Sequence, residues 1–489
     1  LRIASMTTAT AAAPSLLTRV SFGIGGAAEG VKNNGFEYVL LFFYSNILGV
    51  DAGLVAIALL IALVIDAFSD PIVGYWSDNM RTRLGRRHPF MYAALIPIAV
   101  TYYFTWNPPA GMTGNDLFVW LVALTILVRL SFTFFDVPGT ALAAELTQEY
   151  DARTSLLSLR TFFGWFGGLT IQILLFRFLL VPTEEIEIGV FNVDGWNTYG
   201  LVASVCIFVC ALICTVGTHN HIPHLKAPPA ARKITLGTVF KEIFETVSNP
   251  SFRALFLATL CGLIASGISA TLNQYINTIF WGFTNAQIAS ITAAVYISAI
   301  LALIIAPIVG KTFGKKRGAI VIGALAFTIA PMPVFLRLLG LLPPNGSEAL
   351  FNIIFFITIF DLALIIATQM LMASMVADIV EDSELQTGRR SEGIFFAGIS
   401  FIRKLSQGVG VMTASAVLWV SGFSTGGGGA GASEESIRAL GFGYGVSVLT
   451  AWTLMLICVS FYKISRESHG ENLRRLRERD AAAAASEAP

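Results

Sequence analysis

Asp66 and Asp70 lie four residues apart in DAFSDPIVGYWSDNMRTRLGRR, a stretch that begins inside an apolar run and ends in a basic turn. In a helix that spacing puts both carboxylates on one face. An ionised carboxylate at mid-membrane costs roughly 2.5–3.5 kcal/mol, and two on one face also repel each other. The pair therefore requires neutralisation, and a sodium ion held by carboxylate oxygens, or a proton, would supply it. The competing reading is a structural ion pair with Arg129, which stands one heptad before Asp136 in the fourth apolar run.

Other charges sit where solvation is scarce. Asp136 lies in SFTFFDVPGTALAAEL, Arg160 opens the fifth apolar run, and Lys404 is inside GISFIRKLSQGVG. Such groups face a cavity, or, for Arg160 and Lys404, snorkel to the surface along their aliphatic stems. In the first run Glu29, Lys32, Asn33, Asn34 and Glu37 interrupt apolar sequence, and positions 29, 33 and 37 share a face that would line a cavity. Gly74 and Asp78, followed by Arg81, Arg83, Gly85, Arg86 and Arg87, form a different group: charges at helix ends suited to a gate that pairs across two halves and breaks as they rock. Asp378, Glu381, Asp382, Glu384, Arg389 and Arg390 supply complementary charges further on.

The elements that hold these residues are membrane-spanning helices. The chain has 489 residues, 55% of them hydrophobic and 13% charged, and its mean hydropathy is +0.70. That is too apolar for a soluble protein of this length. The apolar runs, about twelve of them, are long enough for helices to cross ~30 Å of hydrocarbon. The alternating pattern of transmembrane strands is absent, so the expected class is all-α. A net charge of +1 favours neither nucleic acid nor an acidic partner. Cys206, Cys210 and Cys214 are spaced along one helix face and, with Cys261 and Cys458, read as unpaired packing residues. The first twenty residues lack the basic start and compact apolar core of a cleaved signal. An enzyme would need a nucleophile with a base or a metal constellation, yet no histidine falls in an apolar run and His88, in the basic turn, is the nearest.

Lysine and arginine occur in every second connection, whereas NPPAGMTGND, VPTEEIEIGVFNVDGWNT, LLPPNGSE and STGGGGAGASEES contain none. Positive residues mark the cytoplasmic side, so both termini are expected inside. A polar linker carrying His219, His221 and His224, read as solvated, separates six runs from six. The expected organisation is an N-terminal six-helix bundle over 1–217, a cytoplasmic linker over 218–251, a C-terminal bundle over 252–463 and a cytoplasmic tail over 464–489. Pro71-Ile72-Val73-Gly74 before the first basic turn recurs as Pro307-Ile308-Val309-Gly310 before Lys311, Gly314, Lys315, Lys316 and Arg317. Parallel six-helix repeats of this kind are the architecture of major facilitator transporters, whose substrate site lies between the halves. In that register Asp66 and Asp70 correspond to Ala302 and Ala306, so the acidic pair is not part of the shared scaffold.

DAFSDPIVGYWSDNMRTRLGRRHPF and VADIVEDSELQTGRRSEG together resemble the glycoside-pentoside-hexuronide:cation symporters, the melibiose carrier group of the major facilitator superfamily, over nearly the whole chain. The resemblance implies that Asp66 and Asp70 are cation carboxylates and that Thr133 is a hydroxyl helping to coordinate the ion. It implies that Asp136 is the main sugar carboxylate, Arg160 a sugar-contacting arginine, and Lys404 a lysine connecting the two sites. The family's helix-one sugar aspartate aligns loosely with Glu29 or Gly30, and Asn33 shares the face of Glu29. Two tryptophans of the family's melibiose carriers are replaced by Thr140 and Gln369, which removes aromatic platforms for a sugar ring and argues against melibiose itself. Arg129 falls where those carriers have glycine, and a fixed positive charge there would weaken sodium binding or favour protons.

The expected function is cation-coupled symport of a sugar, glycoside or sugar acid by alternating access, with a lysophospholipid symporter of the same fold as the alternative and a membrane enzyme third. No cofactor is implied, and no metal beyond a coupling sodium ion, for which a proton is the alternative. The expected partners are a small glycoside-like molecule and membrane lipid around a monomer, in a bacterial inner membrane.

Overall fold

The protein, seen here as a computed structural model, is described over residues 14–147, 150–184, 186, 188–222, 250–387, 392–423 and 432–463, with Glu467, Glu471, Arg474, Arg475 and Glu478. Twelve long helices occur among the described residues: α1 (Leu16–Asn34), α2 (Ala52–Asn79), α3 (His88–Trp106), α4 (Asn115–Leu146), α5 (Tyr150–Leu174), α6 (Val193–His219), α7 (Pro250–Tyr275), α8 (Asn285–Phe313), α9 (Lys315–Ile329), α10 (Glu348–Thr387), α11 (Glu392–Val420) and α12 (Glu434–Ser460). By length and apolar composition, nine of the helices among the described residues can cross a membrane. Their starts are marked by polar caps. Ser15 accepts the Thr18 N–H at α1, and Thr284 with Gln287 forms a reciprocal capping box at α8. The helices α1, α5 and α7 continue into π-helical turns at Gly35–Val39, Leu175–Leu179 and Ile276–Phe280.

The chain divides into two compact units, Leu1–Val50 with Ile57–Ala231, and Asp51–Ala56 with Arg232–Pro489. In the first, α1 packs on α5 and α6, and α3 packs on α4 and α6. In the second, α7 packs on α11 and α12, and α9 packs on α10 and α12. Each pairing recurs six helices later, which is the parallel repeat read from the two Pro-Ile-Val-Gly segments. The turns before α3 and α9 correspond as well: Gly85 (φ 74°) and Gly314 (φ 79°) both adopt the left-handed conformation that a side chain disfavours.

In the first unit α1 and α5 meet along a seam of small residues. A Cβ on Gly30 would stand 1.8 Å from the Gly164 carbonyl oxygen, and one on Gly26 2.0 Å from that of Arg160. Absent side chains let the two backbones touch, the usual device where lipid leaves no hydrophobic drive between helices. Buried rings pack another part of this unit, with Trp106 and Trp196 stacked at 5.8 Å and Phe43 against both. Of the histidines read as solvated, His219 is the last residue of α6, and its Nδ1 lies 2.9 Å from the Tyr92 hydroxyl. His221 Nε2 lies 3.0 Å from Thr18 Oγ1, while His224 falls outside the described residues. His88 opens α3 fully buried instead of occupying a turn, its Nε2 3.0 Å from Thr218 Oγ1. These polar contacts join α1, α3 and α6 at one end of the bundle.

Candidate functional site

Two groups of charged side chains occupy the interior of the first unit, and α4 contributes to both. Asp66, Ser69 and Asp70 share one face of α2, and Arg129 and Thr133 lie one turn apart on α4. The Thr133 hydroxyl is 3.0 Å from Asp66 Oδ1 and 3.1 Å from Asp70 Oδ1, and it also lies 3.1 Å from the Arg129 carbonyl oxygen. Ser69 Oγ is 3.3 Å from Thr133 Oγ1 and donates to the Asp66 carbonyl at 3.2 Å. One hydroxyl has one proton, so it can donate to only one of these acceptors at a time. The two carboxylates thus present oxygens converging on a third oxygen, a donor set suited to a small hard cation. Arg129 Nη1 reaches Asp66 Oδ2 at 3.4 Å, so Asp66 also has the ion-pair partner that the competing reading anticipated. Pro71 removes a backbone donor next to Asp70, freeing the carbonyl four residues back from its helical bond.

Roughly one turn further along α4, Asp136 Oδ1 accepts from Arg160 Nη2 at 2.5 Å. Arg160 is buried, not snorkelled. Its guanidinium lies over Phe22 at 5.5 Å and Phe135 at 5.8 Å. Space for it comes from missing side chains: a Cβ on Gly25 would sit 3.0 Å from Arg160 Nη1, and one on Gly139 3.7 Å. The Asp136 side chain is 34% exposed against 6% for Arg160, so the arginine orients a carboxylate that still has an open face. Arg160 Nη1 is buried without a hydrogen-bond partner. A half-open carboxylate aimed by a buried guanidinium is an arrangement that can accept the hydroxyls of a polyhydroxylated molecule. On α1, Asn33 donates to Glu29 Oε1 at 3.4 Å, and Lys32 Nζ stands 4.8 Å over the Phe132 ring of α4.

The structure therefore brings Asp66, Asp70 and Thr133 together, and separately Asp136 with Arg160 and Glu29 with Asn33. Gln369 is exposed on α10 and Thr140 is exposed on α4. Lys404 belongs to α11, but its side chain lies outside the described residues, as do Arg389 and Arg390. The gate residues pair within their own unit. Arg87 is held by Asp78, by Ser77 Oγ at 2.6 Å and by Glu145 Oε1 at 2.8 Å, and Arg86 reaches the same Glu145 oxygen at 2.9 Å. Arg81 and Arg83 are exposed, and Gly74 brings α2 close to α4 beside Val137, where a Cβ would sit 3.5 Å from Cγ1. In the second unit Lys315 Nζ pairs with Asp378 Oδ1 at 2.6 Å. Both units thus clasp a base at the start of the third or ninth helix to an acid near the end of the fourth or tenth.

Several contributors escaped the sequence reading. The sequence did not single out Ser69, a serine in an apolar helix, or Glu145, an acid 58 residues from its partner Arg87. Ala302 and Ala306, the counterparts of the acidic pair, are buried in α8. Asp361 on α10 carries a buried Oδ1 with no hydrogen-bond partner, and only its place in FITIFDLALIIA marked it.

Comparison with known proteins shows the family and the fold. The family described as MFS/sugar transport protein matches residues 21–466. The isoprimeverose transporter of Lactiplantibacillus pentosus is 24% identical over 92% of this chain and 88% of its own. The mouse sphingosine-1-phosphate transporter MFSD2B is 26% identical over 80% of this chain and 78% of its own. Among solved structures, an inward-facing bacterial homologue of the human lysosomal transporter Spinster aligns with a TM-score of 0.61 at 13% identity, covering 94% of this chain and 97% of that one, and so shares the fold. With twelve helices in two matching sets of six and a family match across nearly its whole length, the chain is an integral membrane transporter of the major facilitator fold and belongs to the glycoside-pentoside-hexuronide:cation symporter family.

Proposed function

We propose that the protein couples the movement of a cation, sodium or a proton, to that of a sugar, glycoside or sugar acid by alternating access. The observation carrying this reading is the convergence of Asp66 and Asp70 on the single hydroxyl of Thr133. In a low-dielectric interior two carboxylates with one donor between them favour a bound cation or proton. Neutralising them removes the penalty for changing face, so the loaded protein rearranges more readily than the partly loaded one. Asp136, aimed by Arg160, accepts substrate hydroxyls. Glu29 and Asn33 extend the substrate surface on α1, with Lys404 and Gln369 contributing from α11 and α10. The basic residues from Arg81 to Arg87, with Gly74, Asp78 and Gly85, and with Asp378, Arg389 and Arg390, act at the gate. The distribution of lysine and arginine supports cytoplasmic termini in a bacterial inner membrane.

A second substrate class has specific support. MFSD2B is by name a transporter of sphingosine-1-phosphate, a phosphorylated single-chain lipid, and the aromatic platforms of melibiose carriers are replaced here by Thr140 and Gln369. The test is thermal stabilisation of the purified protein by sugars, glycosides, uronic acids and lysolipids, each with and without sodium and at two pH values. A ligand that stabilises equally under all ionic conditions sinks the symport reading. In vesicles, Asp66→Asn and Asp70→Asn should abolish ion-dependent uptake, whereas Asp136→Asn should chiefly weaken substrate affinity. Normal gradient-driven uptake by the Asp70 variant would overturn the assignment of the ion site.

A further inference from the structure

The two ion-site carboxylates have a fixed cation beside them. Arg129 and Thr133 are one turn apart on α4, so guanidinium and hydroxyl approach Asp66 from the same side: Nη1 meets Oδ2 at 3.4 Å and the hydroxyl meets Oδ1 at 3.0 Å. The arginine contact is long at 3.4 Å, whereas a strong arginine–carboxylate pair is bidentate at about 2.7–2.9 Å. Arg129 Nε is buried without a hydrogen-bond partner, and the guanidinium rests 5.8 Å from the Phe36 ring centre. The charge is thus held near Asp66 by little directional bonding. Lys32 and Glu37, on α1 and its π-helical continuation, also act on Arg129 with opposite signs, and Lys32 acts on Asp66 as well.

We propose that Arg129 is a tethered counter-cation that competes with the transported cation for Asp66. The guanidinium neutralises Asp66 in the unloaded site, and a cation bridging Asp66, Asp70 and Thr133 must displace it. The inference rests on the symport reading. It makes Arg129 a specificity-determining residue that weakens cation binding and leaves one excess negative charge for one monovalent ion. An arginine with a loose contact suits this role better than a structural pair, because displacing it breaks a long contact and not a short fork.

The test is a titration of thermal stability with sodium and lithium chloride against choline chloride at constant ionic strength, on the wild type, Arg129→Gln, Arg129→Lys and Asp70→Asn. The expected result is a midpoint at least tenfold lower for Arg129→Gln, a near wild-type midpoint for Arg129→Lys, and no cation-specific response for Asp70→Asn. A cation response in Arg129→Gln where the wild type has none also supports the proposal. An Arg129→Gln midpoint equal to or above that of the wild type overturns it, and if Asp70→Asn is then silent the symport reading survives. Absence of any sodium or lithium response in every protein overturns the proposal, and the symport reading falls with it only if uptake in vesicles is also indifferent to a pH gradient. Arg129→Met, uncharged and of similar length, repeats the measurement if the glutamine variant does not purify.

Discussion

Thr133 holds the densest set of contacts in the candidate ion site. Its one hydroxyl lies within hydrogen-bond distance of both carboxylates, of Ser69 and of its own helix at Arg129. Replacing it by valine keeps the shape but removes the oxygen shared by Asp66 and Asp70. We expect Thr133→Val to weaken cation binding about tenfold or more, the loss of roughly one charge-assisted hydrogen bond or ligand oxygen, and Thr133→Ser to stay near wild type. Cation-dependent thermal shifts of the two variants check this, and equal behaviour would remove Thr133 from the site. Asp66, Asp70, Asp136 and Arg160 were legible because a charge inside an apolar run has few innocent explanations. Ser69 and Ser77 were not, since a serine in a membrane helix can always bond its own backbone.

At the scale of elements, the acid–base clasps and the small-residue seam hold the helices that carry the site. Glu145 faces Arg86 and Arg87 near the end of α4, and the side chains of Arg87 and Glu145 are 7% and 6% exposed. Removing one partner of such a buried group strands the others and costs about 3–5 kcal/mol. Asp78, also bonded to Arg87, is 54% exposed, so water can replace it. We therefore expect Glu145→Gln to lower the melting temperature clearly more than Asp78→Asn, read by thermal denaturation in the same detergent. Equal shifts would mean that the clasp does not hold α3 to α4. The basic side of each clasp was visible in the sequence as a turn motif. Asp378 was visible as a complementary charge, but neither pairing was, because 58 and 63 residues separate Arg87 from Glu145 and Lys315 from Asp378.

For the whole molecule, the repeat supplies a topology: six helices, a linker and six more, with basic connections on one side. The distribution of lysine and arginine predicts both termini on that side. A cysteine introduced at Thr113, in a connection without lysine or arginine, should react with an impermeant thiol reagent outside right-side-out vesicles, whereas one at Glu471 should react only after permeabilisation. Labelling of the Glu471 variant in sealed vesicles would invert the orientation.

The sequence alone determined the class, the helix count, the parallel repeat and the carboxylates to watch, because these follow from local quantities: the length of an apolar run, the spacing of residues on one helix, and the cost of a charge without water. The tertiary structure decided what those charges face. It set Thr133 between Asp66 and Asp70, put Arg129 against Asp66, buried Arg160 under Asp136 in room left by glycines, and turned Arg86 and Arg87 toward Glu145 and Lys315 toward Asp378. Such partnerships depend on how closely two backbones approach and at what rotation, and helical periodicity carries neither quantity from one helix to the next.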